Sequence, residues 1–140
     1  MSYKTFQISD GISLIQETHV ANFMRCNIWH IKGQKFDLLI DTGMGLSSLK
    51  KYILEETSKP IKAIVTHSHF DHCGSLHEFN CRLGHKNEEE IFENNLNDKI
   101  VFSGAWKEIE IIDKKQFPEY SGEKYTVTPA PLTGYLDEGD

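Results

Sequence analysis

Three histidines and an aspartate stand within six consecutive residues, in the segment Thr-His-Ser-His-Phe-Asp-His at 66–72. Imidazole and carboxylate are the side chains that bind divalent transition metals at neutral pH. His67, His69 and Asp71 alternate, so on an extended backbone they point to one side, whereas on a helix residues two apart diverge by about 200°. His72 breaks the alternation and can face a neighbouring point, which suits a second metal ion. The pattern predicts a metal site on an extended loop.

The alternative interpretation is a polar loop with a chance surplus of histidine, since 7 of the 140 residues are His. Any short motif carries such a false-positive risk. The segment nevertheless follows directly after an apolar, β-branched run at 61–65, which is typical of a buried strand. A strand that leads into an extended loop gathers ligands as a helix would not, so we favour the metal site.

The elements that must position this segment alternate between strands and helices. Strands 36–40 and 61–65 are expected to be parallel neighbours joined by a helix, so that their carboxyl ends meet at one edge of the sheet. In chain order we predict strands at 6–8 and 12–15, strands at 26–31 and 36–40, a helix within 46–54, a strand at 61–65, a short helix beginning near Asp71 or His72, a strand at 81–83, a helix at 88–94, and short strands and loops from 99 to 140.

The histidine-rich segment resembles the H-x-H-x-D-H signature of the metallo-β-lactamase superfamily. A second landmark of that superfamily, a hydrophobic strand ending in Asp-Thr-Gly, resembles residues 37–43. The resemblance implies an α/β fold, namely half of a metallo-β-lactamase-type αββα sandwich with one mixed β-sheet and flanking helices. Looser similarity to a branch of hydrolase-like members that includes acyl-coenzyme A thioesterases lies at 27–29, 43–49 and 74–79.

The resemblance also implies a chemistry. A complete domain of the superfamily holds two Zn²⁺ ions, of which His67 and His69 would bind one, and Asp71 and His72 the other. A metal-bound hydroxide would attack an ester or thioester carbonyl of a small-molecule substrate such as acyl-coenzyme A. Asp71 would also act in catalysis, by orienting the water or taking up its proton.

Asp41 has two interpretations. It could simply close the bend before Gly43 as an Asx-turn residue. The resemblance instead places it beside the metal site, where a carboxylate can accept a hydrogen bond and orient a ligand. We favour this orienting role.

The resemblance also exposes a departure. The later half of a complete domain adds a Pro-Gly-His segment, a bridging Asp and a final His, which are not found in residues 1–140. We therefore expect one incomplete domain over 1–140, the N-terminal half of a hydrolase, inactive alone. Two alternatives remain open: a homodimer that builds a composite site, and a metal-poor remnant that serves as a binding module. If the chain is instead the N-terminal half of a hydrolase, its partner is a complementary C-terminal half.

Composition narrows the classes of partner and location. A net charge of -6 without a cluster of Lys and Arg argues against nucleic acid as a partner. The apolar runs are far too short to span a bilayer, and residues 1–6 lack the apolar core of a secretory signal. We expect a cytoplasmic protein with no membrane partner.

The remaining cysteines and histidines are interpreted as structural. Cys26, Cys73 and Cys81 form no C-x-x-C pair, and we expect each to be a small thiol in the core. Likewise His30 and His77, which lie in strand and helix patterns, and His85, which follows a strand, are not expected to be ligands.

Overall fold

In the part of the chain that the structure describes, seven strands form one mixed sheet and follow one another in sequence order, β1 to β7. The computed structural model describes residues 2–94 and 112–140, so the part of the predicted loop region at 99–111 lies outside the described residues. The strands are β1 Tyr3–Ser9, β2 Ile12–Glu17, β3 Ile28–Ile31, β4 Asp37–Ile40, β5 Ile61–Ile64, β6 Cys81–Gly84 and β7 Gly134–Tyr135. The helices are α1 Leu49–Ile53, α2 Phe70–Cys73 and α3 Glu89–Asn94, with 3₁₀ turns at Leu76–Glu78 and Lys86–Glu88.

Both predicted hairpins are confirmed. β1 and β2 pair antiparallel around the turn at Gly11, whose φ of 71° is easily adopted by glycine. β3 and β4 also pair antiparallel, and β2 pairs with β3. The remaining neighbours, β4 to β7, are parallel, which makes the sheet mixed as expected.

The parallel pairing of β4 and β5 brings the two sequence landmarks to one edge. Ile40 lies opposite Ile64, and the amide of Asp41 donates to the carbonyl of Ile64 at 2.8 Å. The crossover between the strands contains α1, where the Ser48 hydroxyl caps the first turn by accepting from the amide of Lys51 at 3.1 Å. The predicted pairing is confirmed, so Asp41 and the segment after β5 start from the same end of the sheet.

The two faces of the sheet differ in burial. One face packs against α1 and the residues after α2. Four of its side chains are fully buried, namely Ile15, Ile28, Leu39 and Ala63. The side chains of Leu49 and Ile53 in α1 and of Leu76 after α2 are fully buried as well. The other face, which we call the open face, carries a row of register-paired apolar side chains that are only half-buried. The row comprises Leu14, Trp29, Ile40, Ile64 and Leu83.

The helix predicted near Asp71 is interrupted. α2 ends at Cys73, and a separate 3₁₀ turn follows at Leu76–Glu78. The amide of Gly74 donates to the carbonyl of Gly43 at 2.8 Å, because the loop after β4 packs directly on this point. A tertiary contact that the local pattern cannot reveal therefore shortens the helix.

Across residues 2–94 and 112–140, no helix has the length and apolar character needed to cross a membrane.

Candidate metal centre

The structure brings the four predicted ligands together at the carboxyl edge of β4 and β5. The ring centroids of His67 and His69 are 4.5 Å apart, and those of His67 and His72 are 4.1 Å apart. The Nε2 atom of His72 lies 3.4 Å from Oδ2 of Asp71. The four side chains are therefore neighbours, as expected, whereas a shared pocket and the binding of metal by these side chains stay predictions.

The four side chains project from two different kinds of backbone. His67 and His69 lie on the non-helical stretch after β5, and His69 has extended dihedral angles (φ -66°, ψ 145°). Asp71 and His72 instead belong to the single turn of α2. The expectation that Asp71 alternates with the two histidines on an extended backbone is therefore wrong, because the helix begins at Phe70.

Asp41 contacts the histidine segment (residues 66–72) directly. Its Oδ1 atom accepts a hydrogen bond from the amide of Thr66 at 2.8 Å, and its Oδ2 atom accepts one from Nδ1 of His72 at 2.8 Å. Asp41 is only 5% exposed and has a φ of 63°, which is uncommon for a residue other than glycine. The predicted location of Asp41 beside the pocket is confirmed.

These hydrogen bonds assign the proton positions on two imidazoles. The Thr66 hydroxyl donates to Asp41 at 2.9 Å from Oδ2, so it can only accept from His67 Nδ1, which lies 2.9 Å away. His72 likewise donates its Nδ1 proton to Asp41. Both neutral rings then keep the lone pair on Nε2. Metal-binding histidines commonly donate their second ring N–H to a carboxylate or a similar acceptor in this way.

Charge is unevenly spread over the cluster. Burial, together with the nearby imidazoles of His72 and His69, lowers the pKa of His67. Burial opposes the charged form of His72 as well, but hydrogen bonds to Asp41, Asp71 and Cys26 outweigh it and raise the pKa of His72 to about 12. The pocket therefore places a neutral imidazole, with its lone pair available, beside a His–carboxylate pair.

Cys26 lies at the site, which the sequence did not indicate. Its Sγ atom is 3.6 Å from Nδ1 of His72, and possible ligand atoms of Cys26, Asp41 and His72 all lie within 4.8 Å of one another. The side chain is 4% exposed, and burial raises the pKa of its thiol. Cys26 is thus buried, as expected, but it contacts a candidate ligand, and no spacing in the sequence links it to residues 66–72.

Hydrogen bonds hold the histidine segment on both sides. On one side, the amide and hydroxyl of Thr42 donate to the carbonyl of His72 at 2.8 and 3.0 Å. On the other, the amide and hydroxyl of Ser68 donate to Oε1 of Glu88 at 3.0 and 2.6 Å. Sequence analysis placed Glu88 in a helix and gave it no role. Its position offered a signal, because Glu88 is an acidic residue that follows β6 and so lies at the same edge of the sheet as the histidine segment.

The residues interpreted as structural make other contacts. Cys73 is buried, and its thiol donates to the carbonyl of Ser68 at 3.6 Å. His30 is buried against Asp37, with Nε2 3.0 Å from Oδ2, at the amino end of β4. His85 accepts from the amide of Asn87 at 3.2 Å. These contacts agree with the expected structural roles.

Solved structures define the class of fold. The chain superposes on BJP-1, a subclass B3 metallo-β-lactamase of Bradyrhizobium japonicum, with a TM-score of 0.63 and 20% identity over 100% of this chain and 47% of that one. It superposes on a metallo-β-lactamase from Hirschia baltica with a TM-score of 0.58 and 14% identity, over 100% of this chain and 54% of that one. The mixed sheet with its flanking helices is therefore half of a metallo-β-lactamase-type αββα sandwich.

Sequence comparison finds similarity to the same superfamily. The family model of the metallo-β-lactamase superfamily matches residues 21–87. The chain is 30% identical over 150 residues to acyl-coenzyme A thioesterase MBLAC2 of Homo sapiens, covering 99% of this chain and 53% of that protein. The protein of the same name from Gallus gallus is 30% identical over 142 residues, covering 95% of this chain and 50% of its own length. The chain is thus similar to members of the metallo-β-lactamase superfamily and spans about half the length of these curated relatives.

Proposed function

We propose that this chain is the N-terminal half of a zinc-dependent hydrolase that cleaves an ester or thioester. The observation that supports the proposal is the cluster at the carboxyl edge of β4 and β5. There, three imidazoles and the carboxylate of Asp71 lie side by side, and Asp41 fixes one of the rings at 2.8 Å.

The donor set suits zinc. Zinc in catalytic sites prefers imidazole nitrogens and carboxylate oxygens, and His67 and His72 both keep Nε2 free of a proton when neutral. We assign His67 and His69 to one ion, and Asp71 and His72 to a second. These four side chains are exposed or half-buried, so solvent and substrate can reach them, whereas Asp41 behind them is buried.

Zinc, when bound, supplies an activated water and polarises the substrate carbonyl. The residues of this chain orient the histidine ligands and transfer the proton. Asp41 keeps the Nδ1 proton of His72 turned inward, and Thr66 does the same for His67. Asp71, whose side chain is 16% exposed, is placed to accept the proton of the attacking water and deliver it to the leaving group.

The names of the curated relatives support one substrate class. The curated relatives are named acyl-coenzyme A thioesterases, which favours an acyl thioester over a β-lactam.

Residues 1–140 are proposed to be one incomplete domain. Four ligands shared by two ions give two per ion, and a catalytic zinc normally has three protein ligands. The open face, with five half-buried apolar side chains in register, is the kind of surface that a second layer covers. A complementary C-terminal half would cover this face and supply the missing ligands.

The open face also favours one alternative, a composite-site homodimer. Phe6, at the outer end of the row opposite Leu14, is 37% exposed and could extend a self-complementary interface. In that case two copies would supply the missing ligands to each other. A binding module without metal is the third possibility.

Gel filtration combined with zinc quantification tests these alternatives. A monomer that binds zinc weakly and hydrolyses acyl thioesters only after a C-terminal half is added supports the half-domain. A dimer that holds two ions tightly and hydrolyses thioesters supports the composite site. His69→Ala should remove the ion assigned to His67 and His69 in either case, while His77→Ala, an exposed histidine outside the cluster, serves as the matched control. If His69→Ala binds zinc as the wild type does, the proposed site is wrong.

A further inference from the structure

Glu17 is a fully buried carboxylate near the candidate metal centre. It ends β2 with 0% exposure, on the same face as Ile15 and Ser13. Among the described residues, the imidazole of His19 lies within ion-pair distance of Glu17, with Nε2 3.8 Å from Oε1. Burial lowers the pKa of His19 to about 4, so this imidazole is neutral at pH 7 and does not balance the carboxylate.

The carboxylate is instead bound by backbone amides. The amide of Met44 donates to both oxygens, at 3.0 and 2.9 Å, and that of Gly45 donates to Oε1 at 3.3 Å. Burying a charged group costs several kcal/mol unless hydrogen bonds satisfy it. Glu17 therefore fixes the glycine loop, residues 43–45, from inside the protein.

The glycine loop is shaped around this carboxylate. Gly43 and Gly45 have φ values of 67° and 77°. A Cβ atom added to Gly43 would lie 2.6 Å from the Glu17 carboxyl group. From the other side, the hydroxyl of Tyr125 donates to the carbonyl of Met44 at 2.7 Å. The backbone of Met44 is thus held at its N–H by Glu17 and at its carbonyl by Tyr125.

The glycine loop leads directly to the histidine segment. Gly43 accepts from the amide of Gly74, just after α2, at 2.8 Å. Thr42, the preceding residue, donates twice to the carbonyl of His72. Asp41, one residue earlier, bonds the His72 ring. Residues 41–45 therefore form a continuous connection between Glu17 and the ring of His72.

We infer that Glu17 is a positioning residue, which holds the glycine loop and, through Thr42 and Asp41, sets the placement of His72 for metal binding. The metal-binding part of this inference rests on the proposed function. Glu17 itself lies behind the loop and acts only through it. It is therefore distinct from the candidate ligands.

The test compares Glu17→Gln and Glu17→Met with Glu78→Gln. Glu78 is the matched control because its carboxylate also accepts a backbone amide, that of Lys50 at 2.8 Å, but in α1. Zinc affinity is measured with Zn²⁺ in competition with a chromophoric chelator, and folding by circular dichroism. We expect a loss of about tenfold or more for Glu17→Met, a smaller loss for Glu17→Gln, which keeps one acceptor oxygen, and no change for Glu78→Gln. Folded Glu17 variants with wild-type zinc affinity would overturn the inference.

A metal-free measurement separates this inference from the proposed function. Hydrogen exchange of the Thr42 and Gly74 amides should accelerate at least tenfold in Glu17→Gln. The amide of Val65, bonded to the carbonyl of Leu83 at 2.9 Å, should keep its rate. If the wild type binds no zinc but Thr42 and Gly74 respond, the proposed function fails and the positioning role stands. Unchanged exchange at both amides would refute the positioning role whatever the zinc result.

Discussion

Replacing Asp41 by Asn should weaken zinc binding without unfolding the protein. Asp41 accepts from two N–H donors with two different oxygens, the Thr66 amide at Oδ1 and the His72 ring at Oδ2, each at 2.8 Å, and Oδ2 also accepts from the Thr66 hydroxyl at 2.9 Å. Asn offers one acceptor oxygen and one NH₂ group in the same space. Whichever way the amide turns, an N–H faces one of the two donors.

The substitution would change which nitrogen of His72 carries the proton. If the Asn oxygen stays on Thr66, the imidazole keeps a hydrogen bond only by moving its proton to Nε2, and it then loses the lone pair that would bind zinc. Removal of such an orienting partner typically costs 10–100-fold in metal affinity, or about 1.4–2.7 kcal/mol. A charge-assisted hydrogen bond contributes about 1.5–3 kcal/mol, which agrees with this range.

The assay is zinc competition with a chromophoric chelator, together with urea unfolding. Asp37→Asn is the matched control, because Asp37 also pairs with a buried histidine, His30 at 3.0 Å, but at the amino end of β4. Both variants should lose stability, since each disturbs a buried Asp–His pair, but only Asp41→Asn should lose zinc affinity. Folded Asp41→Asn with zinc affinity within twofold of the wild type would refute the reasoning.

Three further predictions follow from the packing around the site. Gly74→Ala places a Cβ atom 2.2 Å from the Met44 backbone, so we expect a destabilisation of about 1–3 kcal/mol or more in urea unfolding; an unchanged midpoint would show that this contact is absent. Burial raises the pKa of Glu17 from the ordinary 4.5 of a glutamate to about 7, against the opposing hydrogen bonds from the amides of Met44 and Gly45. The folded state thus binds this proton more tightly than the unfolded chain, and the stability it contributes is present below about pH 4.5 and lost as the pH rises to about 7. The stability of the wild type relative to Glu17→Gln should therefore fall between about pH 5 and pH 8 in urea titrations, and a constant difference would contradict the shift. Cys26→Ala should change zinc affinity less than threefold, because the thiol contacts the Nδ1 side of His72 and not Nε2; loss of bound zinc would instead make Cys26 a ligand.

The sequence predicted the fold around the site well because local patterns determine it. The turn at Asp10-Gly11, the β-branched run before Thr66 and the helical spacing between β4 and β5 each specify an element without reference to the rest of the chain. Once β4 and β5 are parallel, the proximity of Asp41 to the histidine segment follows from topology alone.

The parts that the sequence did not predict depend on contacts between distant segments. α2 ends early because Gly74 meets the loop after β4, and Cys26 reaches His72 across 46 positions of sequence. Glu17 was a partial exception. Extending the period-2 pattern of β2 from Ser13 and Ile15 by one step places Glu17 on the buried face, and a charged residue at such a position needs a partner.

The most direct test of the central claim is the position of zinc itself. Crystals of the protein grown with zinc should give an anomalous difference peak, recorded at the zinc absorption edge, within about 2.0–2.1 Å of imidazole nitrogens of His67 and His69. A second peak is expected between Asp71 and Nε2 of His72 when the complementary half is present. A single peak among Cys26, Asp41 and Nδ1 of His72, or no peak near residues 66–72 at saturating zinc, would contradict the proposed metal site.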